Sequence, residues 1–246
     1  MAAPIATEPP SRASALKRWS TALVAGLLGA AVAACVMYAA SGPVVRAYIL
    51  DHPDLLPEAM AKLEARETGK VVAANRAAIE TPFAGAWAGA KDGDVTLVEF
   101  FDYACPYCRR TNADVDRLLG EDPKLKMVWR EWPVLGPDSE NAAAASLAAA
   151  AAGRFKPFHD ALFAAGRPSA ETIARAAQAA GVAPDAVART RADASAHAEV
   201  KRNRQLAMAL RANGTPTFVV GNRVLQGAVG YEALKAAVAE ARAPKT

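Results

Sequence analysis

The sequence predicts an α/β fold in which a helical insertion interrupts the sheet and a helical extension precedes it. Three observations predict this architecture. A nearly continuous apolar run over 95–101 is typical of a buried strand. Residues 138–210 consist almost wholly of helix-favouring residues. Two short apolar segments on either side of Gly221-Asn222 indicate a β-hairpin.

The composition is that of a folded protein with one domain, or one domain with appendages. The chain has 246 residues, of which 52% are hydrophobic and 22% charged, which excludes a largely disordered chain. Three cysteines are too few for a small scaffold held together by disulfides. The formal net charge is +4 without any basic run, so we expect no nucleic-acid partner.

Residues 1–43 have the pattern of an export signal or a membrane anchor. Lys17 and Arg18 precede an uncharged apolar stretch over 19–40, which is interrupted by Ser41-Gly42-Pro43. About 20 apolar residues can just span a bilayer. This length favours an uncleaved anchor whose amino-terminal flank stays in the cytoplasm.

Two other interpretations of this segment remain open. The small residues Ala31 and Ala33 form an A-x-A pattern that a signal peptidase recognises. Cys35 ends a sequence that resembles a lipoprotein box, in which it would carry the lipid. All three interpretations place residues 44–246 in the periplasm or on the extracytoplasmic face of a bacterial inner membrane.

Residues 44–82 predict the helical extension. Apolar residues recur at spacings of about four and seven, as in an amphipathic helix: Val45, Ile49, Leu56, Met60 and Leu63. Pro53 and Pro57 suit a helix start better than its middle, so we expect a short helix, a break and a longer helix. Either these helices pack against the next domain, or residues 44–79 expose an apolar stripe that makes a homo-oligomer.

Residues 83–246 predict the main domain, with the insertion at about 136–212. The first segment, 81–93, is a linker or a short edge segment because Gly85, Gly89 and Gly93 punctuate it. The elements that follow are a strand at 95–101, a helix at 109–119, a strand at 126–131, helices over 138–210, a hairpin at 217–220 and 223–226, and a closing helix at 231–241. Breaks among the inserted helices are expected near 153, 166–168 and 181–184.

Cys105 and Cys108 are separated by two residues at the junction of a predicted strand and a predicted helix. The helix N-terminus favours the thiolate of Cys105, and Cys108 lies one turn further on, where it can close a disulfide. This arrangement predicts thiol–disulfide exchange in which Cys105 attacks and Cys108 resolves. The dithiol carries two electrons itself, so we expect no bound cofactor.

The competing uses of a Cys-x-x-Cys pair are half of a zinc site and an inert disulfide. A zinc site needs two further ligands at short spacing, whereas Cys35 lies in the apolar segment and His159 and His197 are isolated. We therefore predict no metal site. His159 is expected to pack or cap within the insertion, and His197 has no predicted role.

The segment Phe100–Cys108, FFDYACPYC, resembles the active-site turn of the DsbA-like thiol–disulfide oxidoreductases of the thioredoxin superfamily. The resemblance implies a thioredoxin fold with an inserted helical domain, and it makes Pro106 and Tyr107 part of the active-site turn. The segment Gly214–Phe218, GTPTF, resembles the family's cis-proline loop, so Thr215 and Pro216 are expected to bind substrate backbone.

Glu99 matches the buried acid that members of the superfamily place beneath the second cysteine. The resemblance implies that its carboxylate takes the proton of Cys108. The alternative is an ordinary exposed strand residue. Tyr107 replaces the histidine of the best-known members, so strong oxidising power does not carry over, and Arg109 and Arg110 either lower the thiol pKa or simply occupy the helix surface.

Residues 44–79 followed by 93–101 are similar to the ScsC-like branch, named for suppression of copper sensitivity, in which the extension oligomerises some members and makes them isomerases. The sequence therefore predicts an exported protein thiol–disulfide oxidoreductase or isomerase. Its expected partners are unfolded or disulfide-containing exported proteins and a membrane redox partner that recycles the dithiol. Two alternatives stay open: a Cu(I)-binding or copper-tolerance protein that uses the same thiols, and a chaperone-like binding module.

Overall fold

The computed structural model describes residues 12–244, and these divide into two compact units between Ala61 and Lys62. The first eleven residues of the predicted export segment and the last two residues of the predicted main domain lie outside the described residues. The predicted boundaries at 43/44 and 82/83 stay predictions.

The first unit consists of helix α1, Arg12–Asp51, and the beginning of helix α2, Leu55–Glu80. The segment Gly26–Asp51 is long and apolar enough to cross a membrane, with a mean hydropathy of 1.7, although a signal sequence has the same properties. Its large apolar side chains are exposed, as at Leu27 and Val36.

The prediction of a break followed by a long helix is confirmed, because α1 ends at Asp51 and α2 begins at Leu55. The prediction that the helix before the break is short was wrong. Helix α1 has 40 residues and continues through Pro43. Pro43 removes one helical N–H donor, and its neighbours Gly42 and Val44 are weak helix formers, so helix propensity does not account for the continuation.

The second unit contains a five-stranded sheet in the order β1-β3-β2-β4-β5. The strands are β1 Trp87–Gly89, β2 Val95–Phe101, β3 Leu125–Glu131, β4 Thr217–Val220 and β5 Arg223–Gln226. Strands β2 and β3 pair in parallel, and the other three pairings are antiparallel. The predicted strands and the hairpin around Gly221-Asn222 are confirmed, and the edge segment is the short strand β1.

Helices cover both faces of this sheet. Helix α3, Pro106–Glu121, links β2 to β3, and α9, Tyr231–Arg242, follows the hairpin. One face of the sheet packs against α3, α9 and part of the insertion through a core that includes Leu97, Phe101 and Trp129. The opposite face, with Phe100 and Val128, packs against the later part of α2 and against the helix that ends the insertion.

The insertion consists of five helices between β3 and β4. They are α4 Pro137–Ala151, α5 Phe155–Ala165, α6 Ala170–Ala179, α7 Pro184–Ala192 and α8 Ala194–Ala209. The predicted breaks between α4, α5, α6 and α7 are confirmed. The break between α7 and α8 is an addition, where the Asp193 side chain accepts a hydrogen bond from the Ser195 N–H and so caps α8.

Helix α4 is buried along most of its length, and nearly all of its buried side chains are small. Its buried residues are Ser139, Ala142, Ala143, Ala145, Ser146, Leu147, Ala148, Ala149 and Ala150. The chain approaches the end of this helix closely, since the Gly85 N–H donates to the Ala150 carbonyl at 3.0 Å. A Cβ atom at Gly85 would lie 2.8 Å from that carbonyl oxygen, so only glycine fits there.

A buried arginine joins α2, β3 and α8 on the second face of the sheet. The guanidinium of Arg130 donates to Glu199 at 2.8 Å and to Asn203 at 2.9 Å, both on α8. It also donates to the carbonyl oxygen of Ile79 at 2.8 Å and to those of Ala78 and Thr81 at the end of α2. The buried charge is thus paired and hydrogen-bonded throughout.

Candidate active site

Two cysteines lie where β2 turns into α3. Cys105 occupies the N-cap position of α3, and Pro106 is the first helical residue, where a missing N–H costs nothing. The Cys105 N–H donates to the carbonyl of Asp102 at 3.0 Å, which closes the turn. The local sequence therefore places the Cys105 thiol at the N-terminus of α3. The Cys108 thiol lies one helical turn further along.

Cys105 is only 4% exposed, and its Sγ lies 3.1 Å from the carbonyl oxygen of Thr215. The pKa of Cys105 falls from 9.0 to about 5, first because the Cys108 thiol donates a hydrogen bond to it. Burial opposes this shift, while the Thr215 side chain and the N–H groups of Cys108 and Tyr107 add to it. The low pKa favours the thiolate of Cys105 near neutral pH, and it is the protonated sulfur that donates to the Thr215 carbonyl.

Cys108 is fully buried and has the opposite tendency. Burial raises the pKa of its thiol far above 9.0, and the hydrogen bond that it donates to Cys105 and the charge of Glu99 raise it further. Both cysteines are free thiols in the structure. The pair therefore combines one thiol whose pKa is lowered with one whose pKa is raised.

The structure brings Thr215 and Pro216 next to the first cysteine. The peptide bond between them is cis, as the resemblance implied. The Thr217 hydroxyl donates to the carbonyl of Gly214 at 2.7 Å, which fixes the loop at the start of β4. The carbonyl of Thr215 therefore faces the reactive sulfur of Cys105.

Glu99 lies in β2 and is completely buried, so the alternative of an exposed strand residue is wrong. Its Oε1 accepts a hydrogen bond from the Thr111 hydroxyl at 3.3 Å, while Oε2 has no partner among the described residues. Burial raises the pKa of Glu99 from 4.5 to about 8, and the negative charge on Cys105 contributes in the same direction. The carboxyl group is thus largely protonated at neutral pH while Cys105 is ionised.

The side chains next to the cysteines on α3 point in different directions. Tyr107 is 54% exposed, and the guanidinium of Arg110 lies 4.7 Å from the centre of its ring. The largest contributions to the low pKa of Cys105 come from Cys108, Thr215 and backbone N–H groups, and not from Arg109 or Arg110. Arg110 is exposed and fits a role at the helix surface, whereas Arg109 is half-buried and its Nε has no partner among the described residues.

Asp102 is a buried residue of the active-site turn that the sequence reasoning missed. Its Oδ1 accepts the N–H of Ala104 at 2.8 Å, and its Oδ2 accepts the N–H groups of Val134 and Leu135 at 2.8 and 3.0 Å. The sequence contained a local signal for the first bond, because aspartate commonly accepts the N–H two residues on. It contained none for the bonds to residues more than thirty positions away.

His159 lies in the core, as predicted, and not at the thiols. It packs among the rings of Phe101, Tyr103, Trp129, Phe155 and Phe163. Burial holds its pKa well below 6.5, so the ring is neutral. His197 bonds to the carbonyl of Arg191 at 2.7 Å. Within residues 12–244 no three histidine, cysteine or acidic side chains are grouped as metal ligands would be.

The sequence from 96 to 239 matches the family described as DSBA-like thioredoxin domain. The chain belongs to the DsbA-like thioredoxin family. A second match, to the copper resistance protein ScsC N-terminal domain, covers residues 39–68. These matches confirm the predicted resemblance and the predicted fold class, a DsbA-like thioredoxin fold with an inserted helical domain and an N-terminal helical extension.

Solved structures of DsbA-like and ScsC proteins share this fold. A thioredoxin-like oxidoreductase from Silicibacter pomeroyi is 39% identical, with a TM-score of 0.66 over 70% of this chain and 99% of that one. A periplasmic thioredoxin-like protein from Salmonella enterica is 28% identical, with a TM-score of 0.63 over 69% and 96% of the two chains. A ScsC variant from Proteus mirabilis is 26% identical, with a TM-score of 0.64 over 80% and 92%.

Curated relatives of this DsbA-like chain include longer proteins. The Na(+)/H(+) antiporter NhaA 3 of Salinispora tropica is 34% identical over 158 residues, which is 62% of this chain and 24% of that protein. The chain thus spans about a quarter of the length of the curated relatives that it matches. The family to which the chain belongs includes thioredoxin-like oxidoreductases such as the one from Silicibacter pomeroyi.

Proposed function

We propose that this chain catalyses thiol–disulfide exchange on polypeptides outside the cytoplasm, with Cys105 as the nucleophile and Cys108 as the resolving thiol. The observation that carries the proposal is the placement of the two sulfurs, since Cys105 caps α3 beside the Thr215 carbonyl and Cys108 lies one turn further on and is fully buried. The pKa of Cys105 falls to about 5, which favours its thiolate at neutral pH, whereas burial raises the pKa of Cys108. Only a thiolate attacks a disulfide, so attack begins at Cys105.

In the first step, the Cys105 thiolate attacks one sulfur of a substrate disulfide. A bond forms between this sulfur and Cys105, the substrate S–S bond breaks, and the second substrate sulfur leaves as a thiolate that takes a proton from water. The carbonyl of Thr215 lies 3.1 Å from the sulfur of Cys105, which supports a role for this loop in aligning the substrate backbone.

In the second step, Cys108 gives its proton to Glu99 and attacks the sulfur of Cys105. The Cys105–Cys108 bond forms, the mixed disulfide breaks, and the substrate sulfur leaves as a thiolate. Two electrons have then passed from the dithiol to the substrate, and the reverse sequence oxidises a substrate dithiol.

The timing of this proton transfer has a physical basis. The charge on Cys105 helps to raise the pKa of Glu99. The mixed disulfide has no such charge, so its formation lowers the pKa of Glu99 and part of the Glu99 population releases its proton to water. Only this ionised fraction can then accept the proton of Cys108.

The extracytoplasmic location is supported by the apolar segment Gly26–Asp51, which has the length of a membrane anchor or signal. The match of residues 39–68 to the ScsC N-terminal domain supports assembly through the extension, and hence an isomerase. A membrane redox partner would recycle the dithiol. Binding of Cu(I) by the same pair, the alternative function, would have to displace the proton of the buried Cys108.

The test uses the purified full chain with Cys105→Ala, and Cys35→Ala as the matched control. We expect the native chain and Cys35→Ala to accelerate both insulin reduction and the recovery of scrambled ribonuclease. Cys105→Ala should lower both rates to the uncatalysed background. Retention of both activities in Cys105→Ala would refute the proposal. Thiol trapping in cells then separates an isomerase or reductase, kept reduced, from an oxidase, kept oxidised.

A further inference from the structure

A cavity in the helical insertion lies between α4, the end of α7 and α8. Its volume is about 450 Å³, which is in the range of binding sites for small organic molecules. The buried part of its lining is apolar and consists of Pro133, Leu147 and Ala196. None of the active-site residues described above lines it, so the cavity is separate from the thiols.

Three exposed cations lie around this apolar floor. Arg191 belongs to the last turn of α7, and Lys201 and Arg204 lie three residues apart on α8. Residues at this spacing are neighbours on one face of a helix, where like charges repel each other. One carboxylate, that of Glu140 on α4, also lines the cavity. The lining therefore carries more positive than negative charge.

The same three cations have no ion-pair partner among residues 12–244. The five inserted helices and their connections contain nine lysines and arginines. Four of these nine pair with a carboxylate, namely Lys156, Arg175, Arg189 and Arg202. The other five form no ion pair within the described part of the chain: Arg154, Arg167, Arg191, Lys201 and Arg204. Three of these five lie around the one cavity.

An exposed cation is stable in water alone, so the lack of a partner gains meaning only from the shape of the surface. In a concave site with apolar walls, several like charges act on the same small volume and attract an anion that enters it. The His197 ring donates through Nε2 to the carbonyl of Arg191 at 2.7 Å, which fixes the end of α7 against α8. The backbone that carries the cations is therefore held in place before a ligand binds.

We propose that this cavity binds a small organic anion, whose carboxylate lies among Arg191, Lys201 and Arg204 and whose apolar body covers Leu147 and Ala196. An inorganic anion would leave the apolar floor in contact with water, and a neutral apolar molecule would leave the cations without a counter-charge. An amphipathic carboxylate satisfies both parts of the lining. Binding here is independent of thiol exchange, because no active-site residue lines the cavity.

The experiment titrates two matched dyes into the full chain. Dansylglycine has a carboxylate on an apolar fluorescent ring system, dansylglycinamide is its neutral counterpart, and dansyl emission rises in an apolar site. The test variant is Lys201→Gln/Arg204→Gln. Its matched control is Arg154→Gln/Arg167→Gln, which removes two unpaired cations of the same insertion that lie outside the cavity. Glu140→Gln removes the acid of the lining.

We expect the native chain to bind dansylglycine about tenfold more tightly than dansylglycinamide, because hydrogen bonds between charged groups are the stronger ones. Lys201→Gln/Arg204→Gln should abolish this preference by weakening only the carboxylate, and the control should preserve it. Glu140→Gln should tighten the carboxylate about twofold, since it removes a repelling charge. Thiol exchange with an aromatic disulfide should stay as in the native chain in all three variants, which also shows that they fold.

The absence of binding, or equal affinities of the native chain for the acid and the amide, would overturn the proposal. The same loss in the control as in Lys201→Gln/Arg204→Gln would do so too, as would weaker binding of the carboxylate in Glu140→Gln. A hexaglutamate peptide that binds more tightly than dansylglycine would assign the cavity to acidic polypeptides and so also refute it. If Lys201→Gln/Arg204→Gln does not fold, the two dyes and Glu140→Gln still decide the question.

Discussion

The two faces of the central sheet both bury ionisable groups, but they treat them in opposite ways. On the face that packs against α2 and α8, every donor nitrogen of Arg130 reaches an acceptor within the described residues, and Glu199 pairs with it at 2.8 Å. On the face with the cysteines, Glu99, Trp129, Glu131 and His159 each keep a buried polar atom without a partner among residues 12–244.

This difference separates a structural cluster from a reactive one. A charge that is paired and fully hydrogen-bonded has little reason to change its state. Burial raises the pKa of an acid whose carboxylate oxygen lacks a partner, because the charged form is poorly solvated. The pKa values of Glu99 and Glu131 are both raised in this way. The unpaired groups lie on the face of the sheet that carries the thiols, where proton transfer is needed.

The largest expected effect comes from removing Arg130, the centre of the fully hydrogen-bonded cluster on the face that packs against α2 and α8. Arg130→Met removes the buried partner of Glu199, leaves it only the exposed Arg202 at 3.6 Å, and frees three carbonyls and Asn203. We expect the free energy of unfolding to fall by about 3–5 kcal/mol, the cost of stranding one partner of a buried ion pair. Urea denaturation of the full chain, followed by circular dichroism, measures this change.

The matched control for this prediction removes both charges. Arg130→Met/Glu199→Leu should recover a large part of the lost stability, because no buried charge is then stranded. If the double variant is no more stable than Arg130→Met, the ion pair is not the source of the loss.

The comparison also predicts that removing the unpaired acid stabilises the protein. Glu99→Gln keeps the shape and eliminates a group whose native pKa of about 8 exceeds its ordinary 4.5. Such a group binds its proton more tightly when folded, so stability falls as pH rises from about 4.5 to about 8. We expect Glu99→Gln to gain about 2 kcal/mol at pH 7 and to flatten that pH dependence.

The same variant should slow the chemistry that the acid serves. Resolution of a preformed mixed disulfide at Cys105 should be slower in Glu99→Gln, while the initial attack on an aromatic disulfide keeps its rate. Quenched-flow trapping of the two steps separates them. Equal rates of resolution in both proteins would show that Glu99 does not accept the proton of Cys108.

The smallest expected effect is a change in the pKa of Cys105 when the Cys108 thiol is removed. Cys108→Ala removes the hydrogen bond that contributes most to the low pKa of Cys105. Only the thiolate is alkylated, so the alkylation rate of the native chain should rise with pH to a midpoint near 5. In Cys108→Ala the midpoint should move to higher pH. Iodoacetamide labelling with mass spectrometry, in a Cys35→Ala background, provides the measurement, and an unmoved midpoint would assign the shift to the backbone N–H groups alone.

The fold was largely predictable because most of its strands and helices have a recognisable local sequence pattern. Strand β2 begins and ends with the apolar run 95–101. The hairpin turns at Gly221-Asn222, two residues that favour a turn. The continuation of α1 through Pro43 was not predictable, because Ser41, Gly42 and Pro43 are three successive weak helix formers. The break at Asp193 was missed because no glycine or proline marks it.

The candidate site was predictable only where its residues form a local pattern. The Cys-Pro-Tyr-Cys turn and the segment Gly214–Phe218 were visible because family resemblance preserves short motifs. Asp102 and Arg130 were not, since each acts through residues more than thirty positions away and a lone buried charge leaves no periodic trace. Their roles depend on tertiary contacts, which composition and periodicity do not encode.

The small side chains of α4 have a consequence for how such sequences diverge. Nearly every buried position of this helix holds alanine or serine, so almost any larger residue there overpacks the interior. Substitutions can accumulate on the exposed side of α4, whereas its buried side changes only together with the residue that faces it. Comparing many related sequences should therefore show paired drift along this helix, with the Gly85 contact to Ala150 among the slowest positions to change.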